Sequence, residues 1–293
     1  MKVAVFGQTH QDHVLDYVLE LLDELSRVPA SVSIEKDFYQ FLSGIGNLGE
    51  HRTFTQREGL DSGFDMFVSF GGDGTILRAI TFVRDLGIPV VGVNTGRLGF
   101  LSTFRKEDVR KVVKEIVAGA YVLVERSLVA LGSDFEIPEF GSLNFALNEI
   151  TVSRKDTTSM ITVETYLNDE YLTSYWADGL IVATPTGSTG YSLSCGGPVI
   201  TPSARSFVIT PIAPHNLNAR PLVISDDTTI RLKVSGREDH HLVSLDSRIA
   251  TIENGKEITI RKAGFKVKMI EYASESFLKT IRNKLLWGQD RRN

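Results

Sequence analysis

Two glycine clusters in the sequence combine residue types that could handle phosphate chemistry. In the segment FVSFGGDGTILRAI, three glycines and a threonine surround one carboxylate, Asp73, and these neighbours are Gly71, Gly72, Gly74 and Thr75. Binding a phosphate requires either bare backbone N–H groups, which glycines expose, or a metal and cations. Residues 71–75 are therefore a candidate phosphate loop.

The elements around this loop strengthen the candidate. Residues 67–70 predict a strand before the loop, and a helix is predicted to open at Ile76. A helix N-terminus adds its dipole and free N–H groups, and ligands of open α/β sheets bind at the carboxyl ends of strands. The alternative is a tight turn in which Asp73 only caps the helix. Three glycines around one carboxylate favour the functional interpretation.

The second cluster, TPTGSTGYSLSCGGP at 184–198, packs hydroxyls and glycines into an uncharged run straight after a predicted strand. This composition favours a segment that lies against a ligand and supplies hydroxyl and backbone donors, although an ordinary loop is the alternative. The pattern G-x-S-x-G is missing around Ser188, Ser192 and Ser194. A serine-hydrolase nucleophile elbow is therefore excluded.

Other glycine patterns do not support nucleotide binding. The spacing G-x-G-x-x-G occurs at Gly44, Gly46 and Gly49, but it follows a helix-like run instead of a strand, so we interpret it as a loop. The sequence contains no G-x-x-x-x-G-K-[ST], which excludes a P-loop.

The histidines do not predict a metal site. His10 with His13, and the adjacent His240 and His241, lack the third ligand that a zinc site needs, so we interpret them as surface residues. No protein-held metal is predicted.

Composition narrows the class of protein. The 293-residue chain carries a net charge of -4 with scattered Lys and Arg, so a nucleic-acid partner is not expected. Its single cysteine, Cys195, excludes an intramolecular disulfide and fits a reducing compartment, and we interpret it as a small buried hydrophobic residue. The apolar run at the N-terminus is too short for a signal peptide, and no stretch reaches the ~20 apolar residues of a membrane span. A cytoplasmic protein without membrane contact is predicted.

Residues 1–125 predict a doubly wound α/β domain. Short apolar strands at 2–6, 32–34, 66–70 and 90–93 alternate with helices. The helices present apolar stripes, which are Val14, Val18, Leu21, Leu22 and Leu25 in one and Ile76, Ile80 and Val83 in the other. This order predicts a parallel sheet with crossover helices.

From about Ser127 the pattern changes to period-two strands, which predict a β-sandwich-like domain at 126–272. A hairpin is predicted where strands 161–167 and 171–176 flank Asn168, Asp169 and Glu170. Further predicted strands are 180–183, 207–210, 230–234, 242–245, 258–261 and 267–270. The last segment, 273–293, returns to helix from Ser274, with Phe277, Ile281 and Leu285 on one stripe. We expect it to pack on the first domain.

The two clusters and four further motifs together resemble the NAD kinases. In family order across most of the chain, the matching segments are GGDGT at 71–75, NTGRLGFL at 94–101, NE at 148–149, DG at 178–179, TPTGSTGYSLSCGGP at 184–198 and ARPLVI at 219–224. Several long motifs in one register argue against a chance match. The resemblance implies an α/β first domain, a β-rich second domain and a C-terminal segment that returns to the first.

The resemblance also implies roles for residues of the first domain. Asp73 would accept the proton of a ribose hydroxyl, with Gly74 at the same contact, and the 71–75 loop would hold donor phosphates. Arg78 would be a ligand contact, although a solvated helix arginine is an alternative. Phe100 would touch the dinucleotide rings.

In the second domain the resemblance implies NAD contacts. Asn148 and Glu149 would hold the adenosine ribose hydroxyls, and Asp178 the nicotinamide end. Tyr191 would contact NAD through its ring face and Ala213 would contact the adenine. The remaining implied contacts, through hydrogen bonds, are Thr189, Gly190, Ser192 and Ser194.

The pair Asn148 and Glu149 carries a conformational requirement. Adjacent residues of a regular strand point to opposite faces, so both reach one ribose only if the chain turns just before the predicted strand at 150–152. The alternative is that Asn148 closes a turn and Glu149 is a solvated residue at the start of the strand.

Three positions depart from the commonest family pattern. Gly190 stands where many relatives have Ala, which changes little beyond backbone freedom. Trp176 stands where some relatives carry a basic residue, and Arg248 in LDSRIA occupies a variable polar position. The roles of Trp176 and Arg248 stay open.

The resemblance thus predicts a kinase that phosphorylates the 2′-hydroxyl of the adenosine ribose of NAD with ATP, giving NADP and ADP. Mg²⁺ is expected to arrive with ATP, and a homodimer or homotetramer is expected. Two alternatives are a lipid or diacylglycerol kinase, which shares GGDGT, and a non-catalytic dinucleotide-binding regulatory module. The NE pair and the TPTGST segment favour NAD, and a carboxylate within the phosphate loop favours an enzyme.

Overall fold

The structure is a computed structural model that describes residues 1–9, 14–96, 99–102, 104–156, 159–272 and 276–287. The chain forms two compact units, one of residues 1–125 with 267–293 and one of residues 126–266. The first unit is α/β and the second is mostly β, so the predicted fold class is confirmed. His10 and His13 lie outside the described residues, as do Arg97, Leu98 and Ser274.

The first unit is built on a parallel sheet. In chain order its elements are β1 (Lys2–Gly7), α1 (Val14–Ser26), β2 (Ser31–Glu35), α2 (Lys36–Ile45), β3 (Arg52–Phe54), β4 (Met66–Phe70), α3 (Asp73–Val83), β5 (Val90–Asn94), β6 (Phe104–Arg105) and α4 (Val109–Val117). The strand order β3-β2-β1-β4-β5, with β6 beside β5, is the doubly wound arrangement that the alternating pattern predicts.

Helices cover both faces of this sheet because successive strand residues point to opposite sides. Val3 and Val5 of β1 share a buried cluster with Val18 of α1. The ring of Phe6, on the other face, lies 5.0 Å from the ring of Phe82 of α3. Because both faces are covered, the strands are continuous apolar runs. The carboxyl ends of β4 and β5 are where ligands of such sheets bind.

Two predicted boundaries in the first unit are wrong. Helix α3 begins at Asp73 and not at Ile76, so the second half of the GGDGT segment is helical. Gly44 lies in the last turn of α2, and the predicted loop begins only at Gly46, whose N–H bonds to the carbonyl of Leu42. Glycine near a helix end is compatible with either state, so the pattern alone could not place these boundaries.

The second unit is antiparallel. The next elements in the chain are β7 (Val122–Ser133), β8 (Phe145–Ala146), β9 (Glu149–Arg154), β10 (Ile161–Leu167), β11 (Glu170–Ala177), β12 (Gly179–Ala183), α5 (Tyr191–Ser194), β13 (Ser206–Ile212), β14 (Leu222–Ser225), β15 (Ile230–Gly236), β16 (His240–Leu245), β17 (Arg248–Glu253) and β18 (Glu257–Glu271). One sheet runs β11-β10-β15-β18 and the other runs β14-β13-β12-β9-β16-β17.

The two sheets of this unit pack face to face. Val163 and Leu232 of the first sheet share one buried core with Val152, Val182 and Val243 of the second. The sandwich prediction is therefore confirmed. The predicted hairpin joins β10 to β11 through Asn168 and Asp169, which both have positive φ, and Glu170 already pairs with Leu167 in the ladder.

The last elements that the structure describes are one long strand and a helix. Strand β18 is a single strand, whereas two strands were predicted, at 258–261 and 267–270. It pairs first with β15, and beyond Gly264 its Met269 pairs with Val90 of β5. Helix α6 (Phe277–Leu285) follows Ser276, whose hydroxyl caps it by accepting from the N–H of Lys279. Ile281 is buried, and this segment belongs to the first unit, as the fold prediction requires. In the part of the chain that the structure describes, no helix is long and apolar enough to cross a bilayer.

The prediction that His241 is a surface residue is wrong. His241 shares the inward face of β16 with Val243 and Leu245 and is fully buried. Its Nδ1 lies 3.1 Å from Oδ1 of Asn254, while its Nε2 is buried without a hydrogen-bond partner among the described residues. Burial lowers the pKa of His241 below its usual value, and the neighbouring His240 adds to this effect.

This buried histidine predicts a loss of stability in mild acid. Burial disfavours a proton on His241 in the folded state, whereas the unfolded chain binds one below pH ~6.5. The contribution of His241 to the free energy of unfolding should therefore fall as the pH drops below that value, by at most about 1.4 kcal/mol per pH unit. Thermal unfolding of wild type and His241→Leu between pH 5 and 8 checks this. The difference in slope between wild type and His241→Leu measures this contribution, and His240→Gln should retain most of it. Equal slopes in all three proteins would contradict the prediction.

Candidate active site

The phosphate-loop candidate forms the junction of β4 and α3. Gly72 is the N-cap residue of α3, and Asp73 and Gly74 are its first residues. Gly71 has φ +152°, and a Cβ there would lie 2.1 Å from Oγ1 of Thr75. Glycine is therefore required at position 71, because a side chain there would clash with Thr75.

The Asp73 carboxylate lies against a neighbouring loop and does not cap its own helix. Its Oδ2 accepts from the N–H of Phe100 at 2.7 Å, and its Oδ1 accepts from the N–H of Leu101 and of Ser102, both at 3.1 Å. The Ser102 hydroxyl is a fourth donor at 3.3 Å. The interpretation of Asp73 as a helix cap is therefore wrong. Three backbone donors hold the carboxylate in one orientation.

The NTGRLGFL motif provides this loop. Asn94, the last residue of β5, donates through Nδ2 to Oγ of Ser102 and accepts through Oδ1 from the N–H of Gly96. A Cβ at Gly99 would lie only 1.7 Å from Oδ1 of Asp73. The motif therefore places backbone without side chains against the carboxylate, a role that the sequence analysis did not assign to Gly99 or Ser102.

The predicted ligand contact Arg78 is exposed, and its guanidinium lies 5.5 Å from the centre of the Phe6 ring.

In the second unit, Asn148 and Glu149 lie at a turn held by a third acidic residue. Oδ1 of Asp246 accepts from the N–H of Asn148 at 2.8 Å and of Glu149 at 3.2 Å, and Oδ2 accepts from the N–H of Leu147 at 3.0 Å. Successive N–H groups of a regular strand point in opposite directions, so three that converge on one carboxylate show that the chain turns here. The predicted turn before β9 is present.

Both side chains of this pair keep a buried acceptor. Oδ1 of Asn148 and Oε2 of Glu149 are buried and have no hydrogen-bond partner among the described residues. Burial, followed by the charge of Asp246, raises the pKa of Glu149 to about 8, and a hydrogen bond from the backbone of Tyr191 opposes the rise. The alternative that Glu149 is a solvated residue is wrong. Buried acceptors without donors are costly, and they mark places where a ligand completes the bonding.

The TPTGST segment packs directly on this turn. Oγ1 of Thr184 donates to the carbonyl of Leu147 at 2.6 Å and accepts from the N–H of Gly187 at 3.0 Å. A Cβ at Gly187 would lie 2.0 Å from the carbonyl oxygen of Asn148, and one at Gly190 would lie 3.1 Å from Oε2 of Glu149. The glycines of this segment therefore allow close contact with the predicted ribose-binding pair.

The remaining residues of this segment differ in where their side chains point. The Thr189 hydroxyl donates to the carbonyl of Thr186, and the buried Ser192 hydroxyl lies 2.8 Å from that of Thr210. Both hydroxyls are therefore paired within the protein. Tyr191 and Ser194 are exposed, which leaves the Tyr191 ring face accessible.

The DG motif and Ala213 occupy neighbouring strand ends. Oδ2 of Asp178 lies 3.1 Å from the guanidinium of Arg154, and a Cβ at Gly179 would lie 2.4 Å from the carbonyl of Val152. Ala213, just after β13, has φ +43°, an uncommon conformation for a residue other than glycine. Half of the Trp176 side chain is exposed, and its ring lies 5.0 Å from that of His215.

Sequence reasoning missed Asp246 and left Arg248 open. Asp246 has φ +52° in the two-residue turn between β16 and β17, and its N–H bonds to the carbonyl of Glu149 at 3.0 Å. The Arg248 guanidinium donates to the carbonyls of Leu143 and Phe145. The segment LDSR resembles an ordinary hairpin turn, so only the fold reveals that it meets the NE pair.

Cys195 is half-buried and packs on the cluster of Ile181 and Val208, and burial raises the pKa of its thiol. Among the described residues, no three His, Cys, Asp or Glu side chains come together as a metal site.

Comparison with known proteins identifies the family. The model of the ATP-NAD kinase N-terminal domain matches residues 20–121, and that of the C-terminal domain matches residues 147–272. The chain belongs to the NAD kinase family. The NAD kinases of Flavobacterium psychrophilum and Cytophaga hutchinsonii are 56% and 44% identical to it, over 100% of both chains in each case. The prediction of a kinase, a phosphotransferase with NAD kinase function, is thereby confirmed.

Solved structures of NAD kinases share the fold. The NAD kinase from Archaeoglobus fulgidus in complex with ATP is 27% identical, with a TM-score of 0.75 over 98% of this chain and 99% of that one. Yeast NADH kinase complexed with NADH has a TM-score of 0.86 over 99% of this chain and 89% of that one. At 24% identity, this likeness shows the fold alone. Both agree with an α/β unit followed by a β-rich unit.

Proposed function

We propose that this NAD kinase family member transfers the terminal phosphate of ATP to the 2′-hydroxyl of the adenosine ribose of NAD, giving NADP and ADP. The observation that carries the proposal is the pair of buried, unpartnered acceptors Asn148 Oδ1 and Glu149 Oε2. A ribose offers two vicinal hydroxyl donors. These donors match the two acceptors in number and kind.

Asp73 is proposed to accept the proton of the attacking hydroxyl. Its carboxylate is fixed by the amides of residues 100–102, so substrate binding does not have to order it. A fixed carboxylate serves an in-line phosphoryl transfer, in which positioning and charge neutralisation supply most of the catalysis. Phe100 is proposed to contact the dinucleotide rings.

The donor is proposed to be ATP that carries Mg²⁺ on its phosphates, with the glycines of the 71–75 loop supplying backbone donors. Thr75 Oγ1 is buried without a partner among the described residues, and Gly72 and Gly74 leave open space where a side chain would stand. Divalent cations neutralise phosphate charge during transfer, so the ion belongs to the substrate. A cytoplasmic site of action is proposed, supported by the single cysteine.

One assay tests the function. The purified protein is incubated with ATP, Mg²⁺ and NAD, and the product is measured with a dehydrogenase that accepts NADP only. Parallel reactions replace NAD by NADH or by a diacylglycerol dispersion. NADP formation without lipid phosphorylation supports the proposal. Binding of NAD without turnover would instead indicate a regulatory module, and phosphorylation of the lipid alone would indicate a lipid kinase.

A homodimer or homotetramer is proposed as the active form, since the NAD kinases that the sequence resembles commonly complete the NAD site with a neighbouring subunit. Leu217 is 90% exposed, and the neighbouring Asn216 bonds through Oδ1 to the N–H of Trp176, which is itself half exposed. Leu217 and Trp176 offer apolar surface, and Trp176 lies two residues before the predicted nicotinamide contact Asp178.

The assembly proposal predicts that specific activity falls on dilution. Activity is measured from micromolar to low nanomolar protein, and mass is followed by light scattering or mass photometry over the same range. The fall should coincide with dissociation to monomers. A monomer with full specific activity would refute the proposal.

A further inference from the structure

We propose that Asp246 is a positioning residue for NAD, which fixes Asn148 and Glu149 on the same side of their turn through the backbone. The inference rests on the proposed role of this pair in ribose binding. Asp246 itself is not expected to touch the ribose. It acts through the two residues that do.

The geometry gives Asp246 this position. Its carboxylate accepts three successive N–H groups, at 2.8 to 3.2 Å, and its own N–H returns to the carbonyl of Glu149 at 3.0 Å. Four hydrogen bonds therefore connect one residue to the segment 147–149. Bonds from N–H groups to a charged acceptor are about twice as strong as neutral ones, so loss of the carboxylate releases the turn.

The hydrogen-bond partners of the Asp246 side chain favour its ionised form, whereas its burial disfavours that form. Burial raises the pKa of Asp246, and the three amides and the guanidinium of Arg248 oppose that rise. The three backbone partners of this carboxylate are all donors, which stabilise the ionised form. The ionised form is the one that fits the geometry.

A negative charge at Asp246 acts directly on Glu149. It is the second cause, after burial, of the raised Glu149 pKa. The other titratable groups that interact with Glu149 are Tyr191 and Cys195, and Arg248 interacts with Asp246. None of these three offsets Asp246 at neutral pH, because the phenol and the thiol are neutral and the guanidinium partners the aspartate.

The test compares Asp246→Asn and Asp246→Gly with wild type. Both replacements tolerate positive φ, so the turn of β16 and β17 is retained while the charged acceptor is lost. Asp226→Asn is the matched control, because Asp226 is a buried carboxylate of the same unit that pairs with Lys262. The readouts are KM for NAD, KM for ATP and kcat between pH 6.5 and 9, thermal unfolding, and ¹³C NMR titration of the Glu carboxyls, with Glu149→Gln to assign the resonance.

At pH 9, where the Glu149 carboxyl is mostly ionised in either protein, removing the Asp246 carboxylate should raise KM for NAD three- to tenfold with little change in KM for ATP. It should also move the Glu149 titration to lower pH by about one unit. Asp226→Asn should change neither quantity. A wild-type titration and wild-type KM in both Asp246 variants would overturn the proposal, as would the same changes in Asp226→Asn. A wild-type protein that makes no NADP refutes the proposed function instead. The NMR titration still decides the influence of Asp246 in that case.

Discussion

Asp73→Asn should lower kcat by ~10²- to 10⁴-fold, the usual effect of removing a general base. The amide has nearly the same shape as the carboxylate but no negative charge and little basicity. Its NH₂ group would also face the N–H groups of residues 100–102, where the carboxylate accepts from all of them. The variant should nevertheless bind NAD, because the proposed ribose contacts Asn148 and Glu149 are unchanged. Single-turnover kinetics and NAD binding by calorimetry provide the measurement.

Two control variants distinguish the loss of the proposed base, Asp73, from a disturbance of the loop that holds it. Asp65→Asn removes a carboxylate of the same unit that likewise accepts a backbone N–H, that of Lys2 at 2.7 Å, and should keep wild-type activity. Ser102→Ala removes one donor to Asp73 but leaves its charge, and should cost less than tenfold in kcat. If Asp73→Asn turns over near the wild-type rate, Asp73 is not the proton acceptor. If Ser102→Ala loses as much as Asp73→Asn, loop position explains the loss.

Glu149→Gln should raise KM for NAD by about tenfold or more, which corresponds to ~1.4 kcal/mol or more. A carboxylate accepts from two vicinal hydroxyls at once, and hydrogen bonds to a charged group are worth ~1.5 to 3 kcal/mol. KM for ATP should barely change. Glu164→Gln is the matched control, since Glu164 lies on β10 of the same unit and bonds to the Tyr166 hydroxyl. Unchanged KM for NAD in Glu149→Gln would remove Glu149 from the site.

The same variant predicts a pH dependence. The pKa of Glu149 is raised to about 8, so the free protein holds this carboxyl mostly protonated at pH 7. Ribose hydroxyls that donate to it favour the ionised form, so NAD binding releases a proton. KM for NAD should therefore fall as the pH rises from 6.5 to 8 and level off above that. In Glu149→Gln it should stay flat, with the largest difference from wild type above pH 8; parallel profiles would contradict the assignment.

Local patterns were sufficient for most of the fold. The strands of the first unit and the hairpin at Asn168 and Asp169 follow from apolar runs and turn residues whose signals lie within a few positions of each other. The sequence also required a turn before β9 if the NE pair was to bind one ligand, and the structure has that turn. The α/β and sandwich classes followed from these elements.

The errors and omissions share a physical cause, which is dependence on distant partners. His241 could not be recognised as buried because the face of β16 that points inward is decided by the packing of two sheets. Strand β18 runs through Gly264 because its neighbours continue the ladder. The donors of Asp73 lie 27 to 29 positions away, and those of Asp246 lie 97 to 99 positions away, so neither set could be read from local spacing.

Those long separations fix when the ribose-binding turn can form during folding. Closing a loop of about a hundred residues costs roughly 4 kcal/mol of chain entropy before any contact repays it. During synthesis, residues 147–149 cannot form their bonds to Asp246 until the ribosome has added the β16–β17 turn. Contacts of such high contact order also form slowly. A nascent chain that ends before residue 246 can therefore fold its first parallel strands, yet it has no means of fixing the ribose-binding pair.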